Sequence, residues 1–186
     1  MSTTDPYTLP PDLPVPEDDG AADHLPGLEI RALRLPSSRG PIDLADWARE
    51  RLVLYVYPRA GRPGRPMASG WDSIPGARGC TPQSCGFRDH NAELAELGAR
   101  VLGLSAQPLD DQLEFAERNA MPFPVIADPE LKLGAALGLP TFEIEGDVLY
   151  KRLALVSENG RIAKVFYPVF PPDENAADVL AWLRSR

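Results

Sequence analysis

Apolar and polar residues follow strand-like and helix-like spacings along most of this chain. Residues 28–36 largely alternate apolar with polar side chains, a pattern that predicts a half-buried strand. Two almost entirely apolar runs, 52–57 and 101–105, predict strands that are covered on both faces. Helical spacing of apolar residues predicts a helix that leads from the preceding loop through 91–99.

The second half of the chain continues this alternation. A helix is predicted over 109–119, with Leu109, Leu113 and Ala116 on its apolar face. The later predictions are a strand over 123–127, a short helix over 130–137, a hairpin of 141–144 and 148–150, a second hairpin of 152–156 and 162–167, and a closing helix over 173–185. Strands that alternate with helices and end in a hairpin and a helix predict an α/β fold with a mixed central sheet.

Two segments lack such spacing. Residues 1–27 contain six prolines and six acidic residues but few large apolar ones. This composition predicts an arm that is either mobile or draped over the surface, next to a domain of residues 28–186. Glycine and proline also exclude regular structure from most of residues 58–79.

Length and charge limit the class of protein. With 186 residues, the chain forms one domain, or one domain with a tail, and buries a sizeable core without disulfides. The net charge of −8, without a basic block, argues against binding to nucleic acid and to anionic membranes. No apolar stretch approaches the length of a membrane span, and the N-terminus does not resemble a signal peptide. We therefore expect a cytoplasmic protein.

Both cysteines, Cys80 and Cys85, lie where the loop after a buried strand turns into a helix. Thr81 and Pro82 are predicted as the N-cap and the first helical residue. The free N–H groups and the positive dipole at a helix N-terminus favour an anion, so we expect them to favour the thiolate of Cys80. Two unrelated buried cysteines are the alternative, because free cysteine is often buried.

The five-residue spacing of the cysteines argues against a permanent disulfide. On a regular helix their Cα atoms are roughly 8–9 Å apart, whereas a disulfide requires less than about 7 Å. A bridge therefore requires the start of the helix to unwind, which favours a reversible redox step. The two histidines, His24 and His90, do not complete the short spacings of a zinc site, so no metal is predicted.

The sequence Gly-Cys-Thr-Pro-Gln-Ser-Cys-Gly-Phe-Arg-Asp, residues 79–89, resembles the active-site helix of the Q-type peroxiredoxins, the bacterioferritin comigratory protein group. The resemblance runs from about residue 28 to the C-terminus. It implies a thioredoxin-like fold with a peroxiredoxin-type N-terminal extension, and a thiol peroxidase without metal, haem or flavin. By position, Cys80 matches the peroxidatic cysteine and Cys85 the resolving one. The substrate would be hydrogen peroxide or an organic hydroperoxide, and the reductant thioredoxin or a similar thiol.

The same resemblance implies a third catalytic residue. Arg152 precedes a late strand, where the family has an arginine that holds the thiolate and polarises the peroxide. The alternative is an ordinary surface charge at a strand end. Leu139-Pro140 also resembles a loop that faces the active site in thioredoxin-like proteins, where the proline is often cis.

The chain departs from the family in two places. Ala77 stands where the family usually has Thr or Ser, whose hydroxyl binds the peroxide. Residues 59–76 are an insertion next to the cysteines, which we interpret as a lid formed by Met67, Trp71 and Ile74, although a passive surface loop is the alternative. Its arginines, Arg59, Arg62 and Arg65, are expected to stay solvated.

Two other functions stay open. A dithiol oxidoreductase that acts on protein disulfides would be expected to use Cys-x-x-Cys, which this chain lacks. A redox sensor or binding module without fast peroxide turnover is the other alternative, supported by Ala77 and by the insertion.

Overall fold

The computed structural model describes residues 5–186 and is built around a mixed five-stranded sheet. In these residues the strands are β1 (Arg34–Leu35), β2 (Ile42–Asp43), β3 (Arg51–Val56), β4 (Ala99–Ser105), β5 (Val125–Ala127), β6 (Thr141–Ile144), β7 (Asp147–Tyr150), β8 (Leu153–Glu158) and β9 (Arg161–Phe166). The helices are α1 (Leu44–Ala48), α2 (Cys80–Asp89), α3 (Asn91–Glu96), α4 (Leu109–Arg118), α5 (Lys132–Leu137) and α6 (Asn175–Arg184).

The central sheet has the strand order β5-β4-β3-β8-β9. Strands β3, β4 and β5 are parallel, whereas β8 runs antiparallel to both β3 and β9. At the centre of the sheet, Val53 of β3 lies between Val101 of β4 and Val156 of β8. The β6–β7 hairpin and the short β1–β2 pair lie outside this sheet. The predicted α/β class with a mixed central sheet is confirmed.

Both faces of the sheet are covered. Successive side chains of a strand point to opposite faces, and those of β3 enter two different apolar clusters. Leu52 and Leu54 pack in a cluster that includes residues of α1 and α5. Val53 and Tyr55 pack in the other, which contains Cys80 and residues of α2, α4 and α6. The first turn of α2 is thus part of the second core.

Several elements differ in extent between the prediction and the structure. The predicted strand 28–36 is reduced to β1, because residues near Glu29 make only an isolated bridge to Arg161 before the chain leaves that edge. The predicted strand 123–127 begins only at Val125, since Pro124 has no N–H to donate to a ladder. The helix of the cysteines ends at Asp89, and α3 follows as a separate helix after His90.

Two local predictions are wrong. Leu113 is 43% exposed, and the buried residues of α4 are Gln112 and Phe115. Apolar spacing alone did not identify the buried face, since Tyr57 holds Gln112 inside by donating a hydrogen bond of 2.7 Å. The bond before Pro140 is trans, and the cis peptide bonds of residues 5–186 precede two other prolines, Pro168 and Pro171.

The insertion folds against the β6–β7 hairpin. Trp71 is 4% exposed and packs in a small cluster with Leu149, against which Met67 and Ile74 lie. The side chain of Phe142 contributes to the same cluster, with its ring centroid 6.2 Å from that of Trp71. These are the side chains that the lid hypothesis names, although movement of the segment stays a prediction.

The arginines of the insertion are paired rather than simply solvated. Arg59 lies 2.6 Å from a carboxylate oxygen of Asp147. Arg62 and Arg65 each lie 3.5 Å from Asp111. These pairs connect the insertion to the β6–β7 hairpin and to α4, and the side chains of the three arginines, which were expected to stay solvated, are 27%, 37% and 66% exposed.

The described part of the arm lies along the surface. Ala22 and Leu25 are buried in the first apolar cluster. Farther towards the N-terminus, Asp19 accepts hydrogen bonds from Lys151 and Tyr167. The division into an arm of 1–27 and a domain of 28–186, and the mobility of the arm, stay predictions. None of the helices within residues 5–186 is long and apolar enough to cross a membrane.

Candidate active site

Helix α2 begins at Cys80, two residues before the predicted start at Pro82. Gly79 is the N-cap, with φ at 103°, and its carbonyl accepts the first helical bond from the N–H of Gln83. This left-handed backbone favours glycine. A Cβ atom at Gly79 would also lie 2.3 Å from Cγ of Pro172. The prediction that Thr81 is the N-cap and Pro82 the first helical residue is therefore wrong, because both lie inside the first turn.

Cys80 is buried and faces a guanidinium. Its side chain is 3% exposed, and Nη2 of Arg152 donates to Sγ at 3.3 Å. The Sγ atom also lies 3.6 Å from the carbonyl oxygen of Ala77. A positive charge in direct contact stabilises a thiolate more than a thiol. The structure thus brings together two of the three residues predicted for catalysis.

Arg152 precedes β8 and is only 3% exposed, which does not fit a solvated charge at a strand end. Its Nε donates to the carbonyl of Gly76 at 3.2 Å, and Nη2 donates to those of Ala77 and Arg78 at 3.0 Å each. The planar guanidinium offers five N–H donors in a fixed geometry. Arg152 therefore fixes the backbone that leads into Cys80 while it contacts the sulfur.

Gln83 is a site residue that the sequence analysis missed. Its amide oxygen accepts from Nη1 of Arg152, and its amide nitrogen donates to Asn175 at 2.9 Å. Both Gln83 and Asn175 are fully buried or nearly so. Gln83 thus orients the guanidinium and connects it to the first residue of α6. Its position three residues after Cys80, on the same helix face, was the available signal.

Cys85 lies one turn and a half farther along α2. It is half-buried, and its Sγ lies 3.9 Å from Oδ1 of Asn119. Burial raises the pKa of the Cys85 thiol; Arg88 opposes this shift and Asp89 adds to it. Both cysteines are free thiols on a continuous helix. Formation of a bridge between them requires that helix to change.

Aromatic packing holds the C-terminal part of α2, beyond Cys85, on the sheet. The ring of Phe87 stacks on that of Tyr55, with centroids 4.5 Å apart and planes inclined by 9°. Such a pair contributes about 0.5–1.5 kcal/mol beyond its buried area. Phe123 meets Tyr55 edge-on at 5.9 Å. The end of the helix that contains Phe87 is thereby anchored, so unwinding is expected to begin at the Cys80 end.

A pocket of about 330 Å³ opens onto Arg152. Its walls come from the arm, the insertion, the β6–β7 hairpin and the segment after β9. Its lining residues include Pro16, Glu17, Ile74, Phe142, Arg152 and Val169. This volume is at the small end of the range for small-molecule sites, roughly 300–1,000 Å³. The lining is mostly apolar, with the guanidinium as its buried polar group.

Ala77 occupies the place of the missing hydroxyl. It is 1% exposed and packs with Trp71 and Leu149. Its side chain has no hydrogen-bonding group, while its carbonyl accepts from Arg152. Among residues 5–186 no group of three His, Cys, Asp or Glu side chains is arranged to hold a metal ion.

The chain is similar in sequence to known proteins. A model of the redoxin family matches residues 21–180. The chain is similar to peroxiredoxin Bcp of Escherichia coli K12, with 28% identity over 160 residues that cover 81% of this chain and 90% of that protein. It is also similar to a chloroplastic peroxiredoxin Q of Sedum lineare, with 26% identity over 145 residues that cover 78% of this chain and 69% of that protein.

A solved structure gives the same result. The crystal structure of peroxidoxin BcpB from Mycobacterium tuberculosis matches with a TM-score of 0.70 and 28% identity, covering 87% of this chain and 97% of that one. The predicted thioredoxin-like fold is thereby confirmed. Since the family model spans most of the chain and these relatives are named as peroxiredoxins of the Q and Bcp type, the chain belongs to the redoxin family, in the peroxiredoxin Q and Bcp group.

Proposed function

We propose that this protein is a thiol peroxidase that reduces hydrogen peroxide or organic hydroperoxides through Cys80, with Cys85 as the resolving cysteine and Arg152 as the activating residue. The observation that carries the proposal is the contact of 3.3 Å between Nη2 of Arg152 and Sγ of Cys80 at a buried helix start. A fixed positive charge beside a sulfur supports the thiolate, which is the nucleophile.

In the first step, the Cys80 thiolate attacks the terminal oxygen of the hydroperoxide. The O–O bond breaks, an S–O bond forms, and the other oxygen leaves with a proton as water or an alcohol. Arg152 suits this step because its donors can stabilise the negative charge that moves from sulfur to the leaving oxygen. The product is a sulfenic acid on Cys80.

In the second step, the Cys85 thiolate attacks the sulfur of that sulfenic acid. An S–S bond forms, the S–O bond breaks, and the hydroxyl leaves as water after it takes up a proton. A thiol reductant of the thioredoxin type then reduces the disulfide by exchange. A cytoplasmic location and the lack of a nucleic-acid partner are parts of the same proposal.

The test is peroxide consumption by the wild type, Cys80→Ser and Cys85→Ser with a thioredoxin system as reductant. We expect Cys80→Ser to abolish the first oxidation. We expect Cys85→Ser to undergo the first oxidation but not to sustain turnover, because no Cys80–Cys85 disulfide forms for the reductant to reduce. Consumption by the wild type no faster than by a free thiol would contradict the proposal.

One observation favours a second candidate function, a redox sensor with slow peroxide turnover. Ala77 has no hydroxyl to bind the peroxide, and it is buried in a cluster with the apolar side chains of Trp71 and Leu149. A sensor would still form the Cys80–Cys85 disulfide, but with a low rate constant for the first step. The rate constant of the wild type with hydrogen peroxide separates the two functions.

A further inference from the structure

Residues 5–19 of the arm cross the start of α2, and we propose that this segment, the strap, acts through Arg78 and Gly79 to hold Cys80 in the helix and thereby slow disulfide formation. Arg78 is in this view a positioning residue for the second step. The inference rests on the proposed function. The strap lies before the redoxin match, which begins at residue 21.

The first support is the way Arg78 connects the strap to the loop before Cys80. Its Nη2 donates to the carbonyl oxygens of Asp5 and Thr8, at 2.6 and 3.2 Å. Its side chain is 9% exposed, and its Nη1 lies 3.4 Å from Asp72 of the insertion. The carbonyl of Arg78 in turn accepts from Arg152. One residue thus joins the strap, the insertion and the catalytic arginine.

The second support is direct packing on the backbone of that loop. A Cβ atom placed on Gly79 would lie 3.0 Å from Cδ2 of Leu9, and one placed on Gly76 would lie 3.5 Å from Cβ of Pro16. Leu9 therefore covers the helix N-cap from one side while Pro172 covers it from the other. The backbone at Gly79 cannot swing towards Leu9 unless the strap moves.

The strap is held at both ends. Asp19 accepts from Nζ of Lys151 at 2.6 Å and from the hydroxyl of Tyr167 at 2.7 Å, and these partners hold the pKa of its carboxyl well below the usual value. Near the other end, the hydroxyl of Tyr7 accepts from Nη1 of Arg118 at 3.1 Å. Arg118 precedes Asn119, which contacts Cys85. The strap therefore extends between the surroundings of Arg152 and those of Cys85.

The consequence concerns the fate of the sulfenic acid. Disulfide formation requires the residues at the Cys80 end of α2 to leave the helix, because the helical Cα separation of roughly 8–9 Å is too long for a bridge. Unwinding there disturbs the contacts of Arg78 and Gly79 with the strap. Until it occurs, a second hydroperoxide can oxidise the sulfenic acid to a sulfinic acid and is itself reduced to water or an alcohol. The strap thus shifts the balance towards sulfinic acid.

The experiment compares the full-length wild type with the double variant Leu9→Ala/Asp19→Asn, which loosens one packing contact and one anchor. The matched control is Val15→Ala/Asp12→Asn, since Val15 is 63% exposed and Asp12 is exposed as well. Rapid mixing with one equivalent of hydrogen peroxide, followed by acid quench and mass spectrometry, gives the rates of both steps. Excess peroxide then gives the fraction of sulfinic acid.

We expect the double variant to form the disulfide about tenfold faster and to yield less sulfinic acid, with the first step unchanged within about twofold. We expect the control variant to behave like the wild type. An unchanged second step in the double variant, or an equal gain in the control variant, would overturn the inference.

Amide hydrogen exchange separates this inference from the proposed function. In the reduced protein without peroxide, we expect exchange of the amides of Gln83 and Ser84 to be faster in the double variant than in the control, because local unwinding of the helix start controls it. If the wild type fails to react with peroxide, the proposed function is wrong, while the exchange result still decides whether the strap holds the helix. Equal exchange in all three proteins would overturn the inference.

Discussion

Cys80 and Cys85 lie on the same helix, yet their surroundings differ in nearly every respect. Cys80 is 3% exposed, and the guanidinium of Arg152 contacts its sulfur at 3.3 Å. Cys85 is half-buried, its nearest polar contact is a neutral amide oxygen of Asn119 at 3.9 Å, and burial raises its pKa. A buried sulfur with a fixed cation is thus paired with a less buried sulfur whose neutral form is favoured.

This difference matches the order of two chemical steps. In the proposed function the first nucleophile, Cys80, reacts as a thiolate, and the guanidinium of Arg152 lies in contact with its sulfur. The second nucleophile is needed only after the helix start has unwound, so it gains nothing from ionising early. A neutral thiol at Cys85 also competes less for the peroxide. The contrast between the two sites therefore separates their tasks in time.

The largest expected effect comes from removing the cation. In Arg152→Met we expect the rate constant for oxidation of Cys80 to fall about 10²–10³-fold, as for loss of a fixed donor at a developing charge. Arg152→Lys keeps the charge but loses the planar fork, so we expect an intermediate rate. The oxidation is followed by rapid mixing with peroxide.

The matched control is alkylation of Cys85 in the same variants, which should change little if the fold is intact. Loss of both reactivities together would indicate a folding defect rather than a chemical one. Oxidation of Cys80 at the wild-type rate in Arg152→Met would contradict the role of the guanidinium. The positive charge beside Cys80 would then not explain a difference in reactivity between the two cysteines.

Much of this contrast was visible in the sequence. The apolar run before the loop and the helical spacing after it place both cysteines at a helix start, and the five-residue spacing excludes a bridge on that helix. Along that helical spacing, Phe87 and Leu94 are fully buried and Leu97 is partly buried. The position of Arg152 was reached through the family resemblance, because residues 72 positions apart carry no local signal of contact.

The features that were missed or wrongly predicted from the sequence depend on tertiary contacts. Gly79 is the N-cap of the helix because its left-handed backbone fits against Pro172, which local capping preferences do not encode. Gln83 looks like an ordinary helix-forming residue until Arg152 and Asn175 are in place. Leu113 was assigned to the buried face because apolar periodicity does not include a buried glutamine such as Gln112.

The second prediction tests whether Gln83 raises the reactivity of Cys80 by fixing the orientation of the Arg152 guanidinium. In Gln83→Leu the guanidinium loses its only side-chain acceptor besides sulfur among the described contacts. We expect oxidation of Cys80 to slow about tenfold, which corresponds to about 1.4 kcal/mol. Gln83→Glu retains an acceptor for Arg152, so the rate of Cys80 oxidation in this variant should be close to that of the wild type. If Gln83→Leu acted only through a packing defect, Gln83→Glu would not restore the rate. Equal loss in both variants would contradict the orienting role.

The smallest expected effect concerns the charge around Cys85. In a Cys80→Ser background, the pH profile of alkylation reports the ionisation of Cys85. Because burial raises the pKa of this thiol, the reactive thiolate should appear at higher pH than in a free cysteine. Asp89 adds to the upward shift and Arg88 opposes it, so Asp89→Asn should move the profile to lower pH and Arg88→Gln to higher pH. The two substitutions control for each other, since both remove the contact of 2.8 Å between Arg88 and Asp89. Shifts in the same direction would show that loss of this ion pair, rather than the charges near the sulfur, sets the reactivity of the second cysteine.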